Sequence, residues 1–162
     1  MKTKKRFVIF FALLIAFIPL SLSAQQTDGA IVGIENGALF GYNLGTVPPG
    51  LGVGNELAVS LTVADNVQTG FLFITGDGVN FPNFNLFELQ YALNQRIGVN
   101  IFAGRTGANF ATGAGLYFNL FRRVFANTVV TLVKVKMDYL IDMSLGIDKG
   151  LIVVGLSGKI GI

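Results

Sequence analysis

The sequence contains no cysteine, no histidine and no tryptophan among its 162 residues. Without histidine and cysteine, the chain lacks the most frequent metal ligands, the most common general base and the thiol nucleophile. Charged residues are also scarce, at 13% against about 25% in a typical soluble domain. We therefore predict that the protein is not an enzyme and has no catalytic residue, no metal site and no cofactor. Hydrophobic residues make up 52% of the chain, which indicates a lipid-facing protein or a very apolar core.

The N-terminus carries the one long uninterrupted apolar run. Four basic residues lie within positions 2–6, an apolar stretch covers 7–17, and small residues follow. This order is typical of a secretory signal peptide, which we predict over residues 1–24 with cleavage after Ala24, or alternatively after Ser23. An uncleaved anchor is the competing interpretation, but the run is shorter than the roughly 20 residues of a spanning helix. The sequence therefore predicts export.

Net charge is nearly balanced once this leader is removed. The full chain has 12 basic and 9 acidic residues, and all the acidic ones follow the leader. Losing four basic residues leaves a mature chain with a net charge of about −1. No basic patch of the kind that holds a nucleic-acid backbone remains. We expect no nucleic-acid partner.

Downstream of the leader, apolar residues alternate with small or polar ones. The odd-numbered positions of 57–63 are all apolar: Leu57, Val59, Leu61 and Val63. The even-numbered positions, which begin with Glu56, are small or polar. A period of two is the pattern of a β-strand. The same alternation recurs in five further segments: 30–43, 84–94, 97–104, 113–120 and 151–162. These segments span 8 to 14 residues, around the roughly 9–11 that a tilted transmembrane strand needs.

Residues that favour turns separate these segments and predict hairpin connections. They form six clusters of Gly, Pro, Asn, Asp and other polar residues: 45–55, 65–66, 76–78, 94–96, 105–107 and 148–150. Within the first cluster, Gly50–Gly54 lacks the lysine of a phosphate-binding loop. We predict an ordinary loop there.

Two segments leave the strand assignment open. In 67–75, either Phe71 and Phe73 or Leu72 and Ile74 face outward, depending on the preceding turn. In 128–147 one parity stays apolar for twenty positions, which fits one long strand or two strands with an unmarked turn. An even strand number favours the single strand. The predicted fold is all-β, a closed antiparallel up-and-down transmembrane β-barrel of about eight strands.

Charge decides which face of each strand meets lipid. An unpaired charge facing hydrocarbon costs on the order of 2–4 kcal/mol, so the charged parity is expected to face inward. An eight-stranded barrel is narrow enough for side chains to fill it. The inward charges therefore predict a lumen network of three acids and three bases: Glu35, Glu56, Glu88, Lys134, Lys136 and Lys159. Asp138 alternates in step with Lys134 and Lys136 and is therefore also predicted to face inward. Solvated charges at the barrel rims are the alternative.

Glycine and aromatic residues fit the same arrangement. Glycines recur on the inward parity, where a narrow barrel favours residues without a Cβ. Aromatic residues near predicted strand ends are expected to form interfacial girdles. These residues are Tyr42, Phe84, Phe110, Phe121, Phe125 and Tyr139.

The signal peptide, the alternation, the unequal connections and a chain that ends inside a strand resemble the small eight-stranded outer-membrane barrels of the OmpA/OmpX/OmpW type. The resemblance is architectural and covers about residues 28–162. It implies a barrel domain over residues 25–162 in the outer membrane of Gram-negative bacteria. Outer-membrane lipid and the outer-membrane assembly machinery are the partners that it implies.

Three functions follow as hypotheses. The favoured one is a non-enzymatic barrel with a filled lumen, contributing to envelope integrity or surface interactions through its loops. The second is a porin-like, narrow channel or lateral-release conduit for small hydrophobic molecules, as the OmpW-like resemblance implies. Its apolar inner residues are expected to be Leu39, Phe102, Val130 and Leu132. The third is a soluble exported binder like a lipocalin, with the apolar faces turned inward.

Overall fold

A computed structural model describes residues 32–46, 48–78, 80–125 and 128–161. The predicted signal peptide and its cleavage site at Ala24 lie outside the described residues. No helix in the described part of the chain is long and apolar enough to cross a membrane. The only helical element among these residues is one short 3-10 turn, Ile147–Lys149.

Eight antiparallel strands form one closed barrel, in which each strand pairs with the next and the last pairs with the first. The strands are β1 (Val32–Asn43), β2 (Gly50–Ala64), β3 (Val67–Gly76), β4 (Phe84–Ala92), β5 (Ile97–Thr106), β6 (Asn109–Phe125), β7 (Thr128–Asp142) and β8 (Leu151–Gly161). The predicted all-β class, strand number and up-and-down order are confirmed. Closure pairs all eight strands on both sides, so that the barrel has no free sheet edge.

The alternation of side chains follows the sequence pattern. In β2, Leu57, Val59 and Leu61 are 41–49% exposed on the outside, while Glu56 and Ala58 are buried on the inside. The open question in β3 is settled as well: Phe71 and Phe73 face outward, while Leu72 and Ile74 are buried. This facing follows a two-residue turn at 65–66 combined with a register shift between Thr62 and Ala64.

The long apolar segment 128–147 forms a single strand, as predicted, but this strand ends at Asp142. Residues 143–150 instead make the β7–β8 connection, which includes the 3-10 turn. The hydroxyl of Tyr139 donates a hydrogen bond to the carbonyl of Ile147 at 2.6 Å and accepts one from the amide of Gly150 at 3.1 Å. These bonds hold the connection against the end of β7.

Three sequence predictions about individual segments are wrong. Gly50–Gly54 is the first part of β2 rather than a loop, because its backbone pairs in register with the end of β1. Val130 pairs with the outward-facing Ile160, so it does not line the lumen. The cause is a register shift in the pairing of β7 with β8 between Thr131 and Lys134. Because of this shift, the side chains before it face the opposite way from those that strict alternation predicts.

Phe84 is the third error, because it is buried at 2% exposure inside the barrel rather than placed in a girdle. Tyr42, Phe110 and Phe121 are exposed, and Tyr139 is half-buried in contact with the β7–β8 connection. The side chains of Phe125 and of Leu132, predicted to line the conduit, lie outside the described part of the structure.

The two ends of the barrel differ in their connections. At one end, here called the loop end, the strands are joined by residues 44–49, 77–83, 107–108 and 143–150. At the other, here called the terminal end, β1 begins, β8 ends, and the connections include the short segments 65–66 and 93–96. The longer connections therefore gather at the loop end, as the sequence predicted.

Candidate functional site

The lumen is the candidate site, because it gathers the charged side chains that the sequence predicted to face inward. Six of the seven are at most 5% exposed, and Lys159 is half-buried. The six are Glu35, Glu56, Glu88, Lys134, Lys136 and Asp138. They come from β1, β2, β4 and β7, and they form a charged layer in the middle of the barrel.

A continuous chain of ion pairs crosses this layer. The ammonium of Lys134 lies 2.8 Å from Glu35 Oε2, and that of Lys136 lies 2.9 Å from Glu35 Oε1 and 2.9 Å from Glu56 Oε2. The hydroxyl of Ser157 donates a further hydrogen bond to Glu35 Oε1 at 2.6 Å. Glu35 thus accepts three polar contacts, and buried charges need such multiple partners to offset their desolvation.

Polar neighbours complete the coordination of the lysines. Lys134 donates to Gln90 Oε1 at 3.3 Å and lies 4.5 Å from the centre of the Tyr117 ring. Lys159 donates to the side-chain oxygen of Gln68 and interacts electrostatically with Glu35. The structure therefore places Lys159 beside the network.

Sequence reasoning missed several of these contacts. Gln90, Tyr117 and Ser157 lie at positions that the alternation predicts to face inward, but the alternation does not say what they bind. The facing of Gln68 depended on the open assignment of 67–75. Inward glycines create the room for the long side chains. A Cβ on Gly98 would lie 2.2 Å from the Tyr117 ring. The ring therefore occupies space that any larger residue would fill.

Glu88 and Asp138 are arranged differently from the other two carboxylates. Both interact electrostatically with Lys136, but among the described residues neither forms a direct ion pair. Their side-chain atoms Glu88 Oε1 and Asp138 Oδ1 are buried without a hydrogen-bond partner, as are both polar atoms of Asn100. The carboxylate of Glu88, predicted to pair with a lysine, is therefore not in contact with a described lysine ammonium.

An apolar layer closes the lumen toward the loop end. Phe81, fully buried, reaches into the barrel from the 77–83 connection. The carboxylate of Asp77 accepts hydrogen bonds from the amides of Asn80 and Phe81 and from the amide of Val53 on β2. Around Phe81 lie further buried side chains from six strands: Leu39, Leu72, Phe84, Leu86, Phe102, Leu140, Leu151 and Val153.

A polar pocket occupies the terminal end. Its lining includes Lys134, Lys159, six amide side chains, Thr131 and Tyr117, but no carboxylate. The pocket has a cavity volume of about 20 Å³. One water needs roughly 10–15 Å³, so the pocket admits one or two waters before the charged layer blocks it. Within the described residues, no group of three or more Asp, Glu, His or Cys is arranged to hold a metal ion.

Comparison with known proteins adds a likeness in fold. No family model and no curated protein matches the chain. A solved structure titled "De novo design of transmembrane beta-barrels" is similar with a TM-score of 0.49 and 15% sequence identity. The match covers 83% of this chain and 98% of that one. A similarity of this degree carries no information about function.

Proposed function

We propose that the chain is a non-enzymatic β-barrel of the bacterial outer membrane, with a filled lumen that does not conduct. In this proposal the loops contribute to envelope integrity or to contacts at the cell surface. One observation carries the proposal: the barrel is apolar outside and charged inside. This distribution is the reverse of that in a soluble protein.

The outer surface supports contact with hydrocarbon. Large apolar side chains such as Leu61, Phe71, Phe87 and Leu156 are 47–61% exposed on different strands around the barrel. Soluble monomers rarely expose contiguous apolar patches of more than a few hundred Å². In a bilayer the same surface needs no water contact, and strands of 9–17 residues are long enough to cross it. Closure also satisfies the backbone hydrogen bonds that lipid cannot.

The filling of the lumen supports a barrel without a pore. A conducting path would have to pass the terminal pocket, the ion-pair chain and the apolar layer around Phe81. The conduit hypothesis relies on apolar inner residues, but Leu39 and Phe102 are packed in that layer at 1% and 2% exposure. These two side chains are therefore packed against their neighbours and do not line an open passage.

The soluble binder hypothesis requires the opposite facing of the strands. A lipocalin-like cavity needs apolar side chains inside, whereas here Glu35, Glu56 and Lys136 occupy the interior and Leu57 and Val59 the exterior. We therefore propose outer-membrane lipid and the outer-membrane assembly machinery as partners, with export by the predicted signal peptide. A small hydrophobic ligand stays an alternative partner that conductance and binding experiments address.

Three measurements test the proposal. After expression in a Gram-negative host, the protein should fractionate with the outer membrane and require detergent for extraction. The extracted barrel should migrate differently on a gel before and after boiling, because a closed barrel resists unfolding by detergent. In planar bilayers it should give no discrete conductance steps. Recovery as a soluble periplasmic protein would contradict the membrane assignment, and regular single-channel steps would favour the conduit.

A further inference from the structure

Two side-chain amides lie on the outer face of the barrel. Asn36 on β1 and Asn55 on β2 are exposed, and they alternate in step with the outward apolar residues rather than with the lumen charges. Neither side-chain amide forms a hydrogen bond with a described residue. Moving an amide from water to an apolar medium without a hydrogen-bond partner costs free energy, so hydrocarbon is a poor environment for both groups.

Both amides lie in the middle of the apolar band that surrounds the barrel. On β1 the outward residues Ile34, toward the terminal end, and Phe40, toward the loop end, are 53% and 56% exposed. On β2 the outward residues Val53, toward the loop end, and Val59, toward the terminal end, are 56% and 41% exposed. Large apolar side chains therefore separate the amides from both rims of the barrel.

The residues beside the amides are small. Gly158 on β8 pairs with Asn36, and Ala38 on β1 pairs with Asn55. Both small residues are exposed on the same outer face. We call Asn36, Ala38, Asn55 and Gly158 the amide patch. Between protein segments in a membrane, small residues let two backbones approach closely and polar side chains form hydrogen bonds across the contact. The amide patch offers both features.

Strand register places the two amides one above the other along the barrel axis. Successive partners around the barrel rise from the middle of β1 to the loop end of β6: Asn36, Leu57, Phe73, Asn85, Arg105 and Phe110. Relative to Asn36, Asn55 lies one strand across and two residues closer to the loop end. At a strand tilt of about 35–45°, the step across moves roughly 3–4 Å sideways and the two residues move roughly 4–5 Å back. The sideways offsets nearly cancel, which leaves a separation of about 8 Å along the axis.

We propose that the amide patch joins two copies of this chain within the membrane, an inference that rests on the proposed membrane location. Copies inserted by the same route have the same orientation, so a twofold axis that relates them is parallel to the membrane normal. An axis through the patch sets Asn36 opposite Asn36 of the second copy, and Asn55 opposite Asn55. A side-chain amide carries both donors and an acceptor, so two identical amides can bond reciprocally. Acyl chains offer neither a donor nor an acceptor.

Disulfide cross-linking tests which face meets the second copy, because the chain contains no cysteine of its own. Asn55→Cys lies on the proposed axis and keeps Asn36 in place. Leu116→Cys is the control, since Leu116 is 39% exposed on β6, across the barrel from the patch. In oxidised outer-membrane vesicles, Asn55→Cys should form at least ten times more disulfide-linked dimer than Leu116→Cys. Equal yields, or a cross-link from Asn55→Cys to a different protein, would overturn the proposal.

Sedimentation in a mild detergent tests the role of the amides themselves. Asn36→Leu combined with Asn55→Leu should raise the dissociation constant of the dimer at least tenfold, while the heat-dependent gel shift shows normal assembly. Asn85→Leu, the same change at an exposed amide near the loop end of β4, should leave the dimer intact. A monomeric wild-type barrel, or an equally dimeric double variant, would overturn this inference and leave the proposed function standing. Recovery of wild type without detergent would overturn both.

Discussion

The ammonium of Lys136 on β7 lies 2.9 Å from Glu56 Oε2 on β2, although 80 positions separate the two residues. Both side chains are at most 2% exposed. Water therefore cannot replace either partner, and the pair differs in this respect from the surface ion pairs that contribute little to stability.

Removal of Lys136 should be costly because it leaves two carboxylates without their shared partner. We expect Lys136→Met to lower the free energy of unfolding by about 3–5 kcal/mol. Glu56→Gln should cost less, since Lys136 keeps its contact with Glu35. A double-mutant cycle in urea unfolding should give a coupling of about 0.5–3 kcal/mol.

A matched cycle on Asp148 and Lys149, which are exposed in the β7–β8 connection, serves as the control. Its coupling should stay below about 1 kcal/mol and decrease with added salt. If the Lys136–Glu56 coupling were equally small, the lumen charges would be solvated.

The outer face can be tested with two leucines of equal exposure. Leu61 on β2 is 49% exposed and Leu145 in the β7–β8 connection is 47% exposed. An arginine facing hydrocarbon costs up to about 2–4 kcal/mol, the most at the bilayer midplane and less toward the interfaces. Leu61→Arg should therefore impair assembly, measured by the heat-dependent gel shift, whereas Leu145→Arg should assemble normally. Equal assembly of both variants would mean that Leu61 does not face lipid.

Phe81 closes the apolar layer, and its truncation should leave a cavity at the loop end. We expect Phe81→Ala to lower the free energy of unfolding by about 3–5 kcal/mol. The control is Phe110→Ala, because that ring is 57% exposed and its loss opens no cavity in the barrel. If urea unfolding gave the same stability for both variants, Phe81 would not contribute to the packed layer.

Tyr139 should stabilise the β7–β8 connection through its hydroxyl group. Tyr139→Phe removes both hydrogen bonds to that connection while keeping the ring, and should cost about 1–2 kcal/mol. Proteolysis within 143–150 should become faster. Tyr42→Phe provides the control, since the Tyr42 hydroxyl makes no hydrogen bond to the described residues. Unchanged proteolysis in Tyr139→Phe would show that packing alone holds the connection.

The facing of residues on each strand was predictable because it depends on a local property. Side chains of a strand alternate between two faces, so Leu57 and Glu56 must lie on opposite sides wherever the strand is placed. The prediction failed where local geometry changed: a register shift before Lys134 reversed the facing of Val130. The prediction also failed at a strand end, because backbone pairing with β1 extends β2 to Gly50 despite its glycines.

Periodicity and charge are written in order along the chain, so the alternation into strands and the common face of the lumen charges could be derived from the residues alone. Which of these charges meet depends on the folded barrel. Closure of β1 on β8 and the register of eight strands set Lys136 between Glu35 and Glu56, and left Glu88 and Asp138 without a direct ion pair to another described residue. Register is a relation between distant segments, and a shift of one residue would turn each of these side chains to the opposite face.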